Sequence, residues 1–238
     1  MTLIINFILS IFSSLIKYLP RLIKKFLRKN RLIYWTLFPP DNFLKFKYAN
    51  EAESQAWKYV ISKLNNYSSI CEIGCFNGRI PFILGSLLTG KRYIGIDINF
   101  IAISIAKIFN SFKGNHNCSF HSKKGVFASD EKCELFVSVG TLIYFSENEL
   151  TNFIKSLKLN KSFKALILHE IFLNELFCKS KKTFMDDNLN IHAISMIKEK
   201  FGNNYDVEFK RTFYHNWEKK DRISGIVYVK KKVKITIK

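Results

Sequence analysis

The sequence predicts an α/β domain with a mostly parallel sheet, and three stretches predict it. The apolar run Ser69-Ile70-Cys71-Glu72-Ile73 closes on an acid and leads into a glycine-bearing turn, Gly74-Cys75-Phe76-Asn77-Gly78. A second run, Tyr93-Ile94-Gly95-Ile96, ends on Asp97, and a third begins at Glu134-Leu135-Phe136-Val137 and reaches Phe145. Short apolar runs separated by helix-patterned segments are how strands covered on both faces read in sequence. In such sheets a ligand sits at the carboxyl ends of the strands, where glycines let backbone amides approach and an acid can hold two ribose hydroxyls.

The chain divides into residues 1–40, an amphipathic basic N-terminal arm, and 41–238, the α/β domain, with Phe38-Pro39-Pro40-Asp41 as a turn or linker. In the arm, Asn6, Ser10, Ser13, Lys17, Arg21, Lys24 and Arg28 recur in steps of three and four and form one polar stripe. The other face carries Ile4, Ile5, Ile8, Phe12, Leu15, Leu19, Ile23 and Phe26, and no acid occurs before Asp41. Its uncharged part, residues 2–16, is shorter than the roughly 20 residues of a spanning helix, and a secretory signal would place its cations before the apolar run. The pattern fits a helix lying in a membrane interface, broken near Pro20, with its cations against anionic headgroups. A helix docked on the protein's own core or on a partner, and a single tilted span, are the alternatives.

The domain follows in order. Residues 51–64 read as a helix with Ala52, Ala56, Val60, Ile61 and Leu64 as its apolar face, leading into the first strand. After Gly78 a helix covers residues 80–88, with Pro81 accommodated in its first turn. The second strand ends at Asp97, a helix spans residues 101–109, and a weakly marked third strand covers 118–120. The fourth strand is followed by a helix over 147–157, a fifth strand over 165–168 trailed by His169 and Glu170, and a helix over 190–201. Strands at 207–211 and 225–230, joined by a loop with His215, Asn216 and Trp217, close the domain.

The first motif resembles that of class I S-adenosylmethionine-dependent methyltransferases, acid-x-Gly-x-Gly-x-Gly. Glu72, Gly74 and Gly78 match its first, second and last fixed positions, and Phe76 stands at the middle glycine, which is tolerable where the backbone keeps a negative φ. The dinucleotide pattern Gly-x-Gly-x-x-Gly is absent. The resemblance covers about residues 51–232. It implies a Rossmann-like, seven-stranded, mostly parallel sheet with helices on both faces and a last strand inserted antiparallel. It implies S-adenosyl-L-methionine as cofactor, held by Glu72, Gly74, Cys75, Phe76, Gly78, Asp97 and Ile98, with Ser138, Val139 and Gly140 at the sulfonium end. The family's acid for the adenine amino group is missing, since His121 and Ser122 occupy that place. Tyr144 falls beside the acceptor. His169 follows a parallel strand on the ligand side and, with Tyr144, is the candidate catalytic residue; Glu170 is a further candidate base. A strand-turn-helix in another kind of α/β protein is the competing reading of the first motif.

The composition, 47% hydrophobic with 23 Phe, is that of a globular chain, and the net charge of +19 predicts attraction to polyanions, whether nucleic acid or an anionic membrane. Coding bias, as in an AT-rich genome, is the competing explanation for part of that charge. Cysteines at 71, 75, 118, 133 and 178 form no CxxC pair and fit a reducing compartment. His116, Cys118, His121 and Cys133 lack the tight pairs of a structural zinc site, so no metal is expected. Neither an Asn/Asp-Pro-Pro-aromatic signature nor a Pro-Cys pair follows the fourth strand, and no RNA-binding module stands out. The sequence thus points to a methyltransferase peripheral to the cytosolic membrane face, acting on a small-molecule, glycan-precursor or lipid-linked acceptor. An RNA methyltransferase and a catalytically silent methyltransferase-like binding protein remain as alternatives. Oligomeric state is not legible.

Overall fold

A computed structural model describes residues 51–113, 117–173, 183–186, 189–212 and 222–232. The amphipathic arm, the Pro39-Pro40 linker, His116, Cys178 and the His215–Trp217 loop lie outside the described residues.

The elements run α1 (Glu51–Lys63), β1 (Ser69–Ile73), α2 (Arg79–Leu84), β2 (Arg92–Asp97), α3 (Phe100–Lys113), β3 (Cys118–Ser122), β4 (Leu135–Val139), α4 (Glu147–Leu159) and β5 (Ala165–Leu173). Then come β6 (Thr183–Asp186), β7 (Leu189–His192), α5 (Ile194–Phe201), β8 (Tyr205–Thr212) and β9 (Arg222–Lys231). Strands β3, β2, β1, β4 and β5 lie side by side and parallel. β9 pairs antiparallel with the whole of β5, from Ala165↔Lys230 to Leu173↔Arg222, and β8 pairs antiparallel with β9. These seven strands reproduce the expected sheet, including the antiparallel insertion.

Two apolar layers flank it, because every strand alternates its side chains between faces. On one face Trp57 and Val60 of α1, Ile80 of α2 and Ile103 of α3 pack on Ile70, Val137, Ile167 and Ile226. On the other, Leu150 and Phe153 of α4 and Met196 and Phe201 of α5 pack on Ile73, Phe136, Leu168 and Val227. Helix α4 starts on a capping box, in which Ser146 accepts from the Glu149 amide and Glu149 reaches back to the Ser146 amide.

The structure corrects the expected elements beyond Leu168. β5 does not stop there; it runs to Leu173 and is buried throughout. β4 ends at Val139, opposite His169, so the last residues of β5 project past it. β9 already occupies the other edge of that projection, and β7 takes the vacated one through Phe172↔His192. β7 is also half of a hairpin with β6. Residues 190–192, expected as the first turn of a helix, are therefore part of strand β7, and the helix starts at Ile194. An unsatisfied sheet edge recruits a strand irrespective of a helical apolar spacing. Among the described residues no helix is long and apolar enough to cross a membrane.

Candidate functional site

The carboxyl edge of β1, β2 and β4 gathers the candidate residues. Leaving β1, the chain turns sharply: Gly74 has φ +81° and Gly78 φ +69°, values that suit glycine. Space demands glycine as well. A Cβ on Gly74 would lie 1.9 Å from Thr141 Oγ1, and one on Gly78 would lie 2.6 Å from the Phe120 ring. The amides of Gly74 and Cys75 both donate to the Ile96 carbonyl, at 2.7 and 3.1 Å, which lashes the turn to β2.

Phe76 departs from the expectation of negative φ: it sits at φ +51°, left-handed like the glycine it replaces. That costs a side-chain-bearing residue about 1–2 kcal/mol. Two contacts offset it. The Phe76 amide donates to Asp97 Oδ2 at 2.9 Å, and the ring packs on Ala102 and Ile105 of α3. Asp97 thus straps the turn to the end of β2, while its Oδ1 accepts from the Asn99 amide at 2.8 Å. Burial raises the Asp97 carboxyl above its ordinary range, against the amides of Asn99, Phe76 and Ile98. Asn99 in turn caps α3, its Oδ1 accepting from the amides of Ile101 and Ala102 at 3.1 Å.

Glu72 is buried, and its carboxylate accepts from the Tyr93 hydroxyl. Burial drives its pKa up to about 8, opposed by Tyr93 and by the Arg79 guanidinium. Glu53 of α1 forms an ion pair with Arg79, the first residue of α2, and together with Asp97 it acts on Glu72 through space. Three carboxyl groups and one guanidinium therefore surround the glycine turn. Cys75 is buried, its thiol pushed up chiefly by burial, and it faces Gly95, where a Cβ would approach its sulfur to 2.7 Å.

Past β4, Val139 is half-buried and Gly140 is exposed, with φ +69° and open space around its α-carbon. Ser138 is wholly buried, its hydroxyl donating to Glu170 Oε1 at 3.1 Å.

No family model and no curated protein matches the sequence. Solved structures do. Magnesium protoporphyrin IX methyltransferase of Synechocystis, crystallised with S-adenosylmethionine, superposes with a TM-score of 0.60 at 15% identity, over 86% of this chain and 97% of that one. The O-methyltransferase of a trans-AT PKS multienzyme of Brevibacillus brevis, in complex with S-adenosyl-L-homocysteine, gives 0.56 at 10% identity, over 74% and 71%. A small RNA methyltransferase gives 0.56 at 18% identity; the match covers 76% of this chain and 25% of that protein. The fold is that of the class I methyltransferases.

Within this methyltransferase fold the turn at Gly74–Gly78, Asp97 and Ile98, and the end of β4 share one edge of the sheet, as their register requires. Tyr144 is half-buried on the single helical turn Leu142–Tyr144 that follows β4, its amide donating to the Thr141 carbonyl at 3.1 Å. His169 is placed otherwise than expected. It lies inside β5, is 6% exposed, and its Nε2 is 3.1 Å from Thr212 Oγ1 of β8. Burial lowers its pKa to about 4. His169 ties β5 to β8 and is withdrawn as a candidate proton acceptor, because an acceptor must be within reach of the substrate. His121 and Ser122 are exposed at the end of β3. Among the described residues no group of three or more potential metal ligands lies together.

Thr141, Tyr93 and the Glu53–Arg79 pair escaped sequence reasoning. A buried carboxyl such as Glu72 needs a donor from somewhere, so its placement on an apolar strand was itself a signal that a partner exists. Nothing local indicated which residue would supply it.

Proposed function

We propose that the chain transfers the methyl group of S-adenosyl-L-methionine to a small-molecule, glycan-precursor or lipid-linked acceptor at an anionic, cytosolic membrane face. The observation that carries this reading is the strapped glycine turn: Gly74 and Gly78 at positive φ, with Asp97 holding the Phe76 amide at 2.9 Å. Each oxygen of that carboxylate retains acceptor capacity after its main-chain bond, enough to take the two hydroxyls of a ribose. Solved structures with this fold hold S-adenosylmethionine or S-adenosyl-L-homocysteine.

When bound, the cofactor supplies an electrophilic methyl group on a sulfonium. The residues of this chain bind and orient. Asp97 and the turn would hold the nucleoside, Ile98 would flank the base, and Val139 and Gly140 would border the reacting end. Tyr144, on the turn past Gly140, would face the acceptor. Holding the two reactants in line and dry is the main contribution such a site makes.

The membrane half of the proposal rests on the amphipathic, acid-free sequence of residues 1–40. Helix α1 begins at Glu51, and Glu53 in its first turn is paired with Arg79 beside the glycine turn. The first described helix therefore starts at the carboxyl edge, on the side of the site. Arg92, Lys132, Lys161 and Lys164, which border a recess at the amino edge of the sheet, favour a second reading, an RNA methyltransferase.

Calorimetric titration with S-adenosylmethionine and S-adenosyl-L-homocysteine tests the core of the proposal, and no heat with either would end it. Co-sedimentation with anionic vesicles, before and after removal of residues 1–40, tests the membrane half. Equal binding by both forms would defeat it. Transfer of labelled methyl to RNA in preference to a lipid extract would favour the second reading.

A further inference from the structure

Glu170 is the first residue of β5 beyond the end of β4, since His169 pairs with Val139. Its side chain is buried and turns back onto the loop that leaves β4. One oxygen, Oε1, accepts three hydrogen bonds: from Ser138 Oγ at 3.1 Å, the Thr141 amide at 2.9 Å and the Leu142 amide at 2.8 Å. The other, Oε2, is buried and makes no hydrogen bond. Burial raises the carboxyl to about 7, against those donors. An acid in a dry layer is costly, and this one is concentrated on a single loop.

That loop is the one that touches the glycine turn. Thr141 Oγ1 occupies the space a Cβ on Gly74 would need. Gly140, at φ +69°, turns the chain out of β4, and its amide is held by the His169 carbonyl at 2.9 Å. At the far end, His192 of β7 has its Nε2 3.0 Å from the Phe145 carbonyl. The loop is thus pinned at its start by Glu170 and at its finish by the hairpin.

We propose that Glu170 is a positioning residue of the cofactor site: by fixing the Thr141 and Leu142 amides it sets Thr141 against Gly74 and so holds the turn in its binding shape. The proposal rests on the methyl-donor reading above. It replaces the view of Glu170 as a base, because both oxygens are buried away from any approaching acceptor and Oε1 is bonded within the protein.

Glu170→Gln keeps the volume and one carbonyl acceptor but loses the charge; Glu170→Ala leaves all three donors without a partner. Two readouts are taken on the full-length protein. The first is the Kd for S-adenosylmethionine by calorimetry. We expect it to rise about tenfold in Glu170→Gln and further in Glu170→Ala, as befits hydrogen bonds to a charged group. The second is amide exchange, which requires no ligand. We expect exchange to quicken about tenfold at Thr141 and Leu142, and also at Gly74 and Cys75, whose amides bond to Ile96. Met196→Ala, in the core of α5, controls for general loss of stability: its melting temperature should fall while Kd and the exchange at Gly74 stay as in the wild type. Unchanged Kd and unchanged exchange at Gly74 and Cys75 in Glu170→Gln overturn the proposal, even if Thr141 loosens. A wild type that shows no binding at all overturns the methyl-donor reading instead, and exchange at Gly74 and Cys75 then decides the role of Glu170.

Discussion

The two edges of this sheet are built from opposite chemistry. The carboxyl edge carries buried acids, Glu72 and Glu170 foremost, with pKa values raised to about 8 and about 7 by the loss of water. The amino edge carries solvated cations: Arg92, Lys132, Lys161 and Lys164 border an open recess of about 470 Å³ together with Ser68 and Ser162. The acid there, Glu134, is only partly buried. Burial acts to raise it, but bonds from Lys164 at 2.5 Å and the Ser68 amide at 2.8 Å outweigh that and leave it below the usual carboxylate range. Charge at the amino edge costs little because water stays. At the carboxyl edge each carboxyl is held at a desolvation cost by named donors, and such concentrations of perturbed groups mark functional sites.

The steepest way to break this contrast is at the crowded turn. Gly74→Ala forces a Cβ to 1.9 Å from Thr141 Oγ1 at φ +81°. It should lose at least about 3 kcal/mol in chemical denaturation, from overpacking and left-handed strain together, and should abolish cofactor binding. Asp97→Ala should remain folded and weaken S-adenosylmethionine binding by about 1.5–3 kcal/mol in calorimetry; an unchanged affinity would remove Asp97 from the site.

The acids also set a pH dependence. Glu72 is protonated in the folded protein up to about 8, well above the 4.5 of an ordinary glutamate. Folding therefore takes up protons between these values, and stability falls as pH rises through that window. His169, lowered to about 4 from 6.5, works in the opposite direction, but its effect is complete above pH 6.5. Glu170 adds a decline of the same sign up to about 7; between about pH 7 and 8 the denaturation midpoint should still decline, and Glu72→Gln, which still accepts from Tyr93, should flatten that part. An equally steep decline in the variant would show that Glu72 is not its source.

A smaller effect isolates the backbone of Phe76. Both Phe76→Ala and Phe76→Gly lose the ring's packing, but only alanine pays for φ +51°. The glycine variant should be the more stable by about 1 kcal/mol in urea unfolding. Smallest of all is the expectation for the other edge. Replacing Lys132 and Lys161 with Glu should change S-adenosylmethionine affinity by less than about 0.5 kcal/mol. The same change should reduce any RNA binding and its salt dependence.

The glycine turn and Asp97 were legible in the sequence because their chemistry is local. A strand that ends on an acid, a glycine where φ must be positive, and a helix start with free amides each leave a residue-type signature. The first strands were legible for the same reason, from apolar runs and the helices between them, while the seven-stranded frame was what the resemblance of the first motif implied. The hairpin of β6 and β7 was not, since residues 189–192 are strand only because β5 outruns β4 and offers them an edge. His169 and Glu170 show the limit within two adjacent residues. Their position after an apolar run suggested a strand end facing substrate, yet β9 pairs alongside both and encloses them.

By itself, then, the sequence determined the strands and helices up to Leu168, where the backbone must turn, and which acid stands beside that turn, since these follow from period and residue type. Tertiary structure alone decided that Phe76 adopts a left-handed backbone held by Asp97, that Thr141 fills the space over Gly74, and that Glu170 grips the loop between them. These are contacts between residues as many as 67 positions apart (141 − 74), each set by which strands become neighbours and by the water that their packing expels.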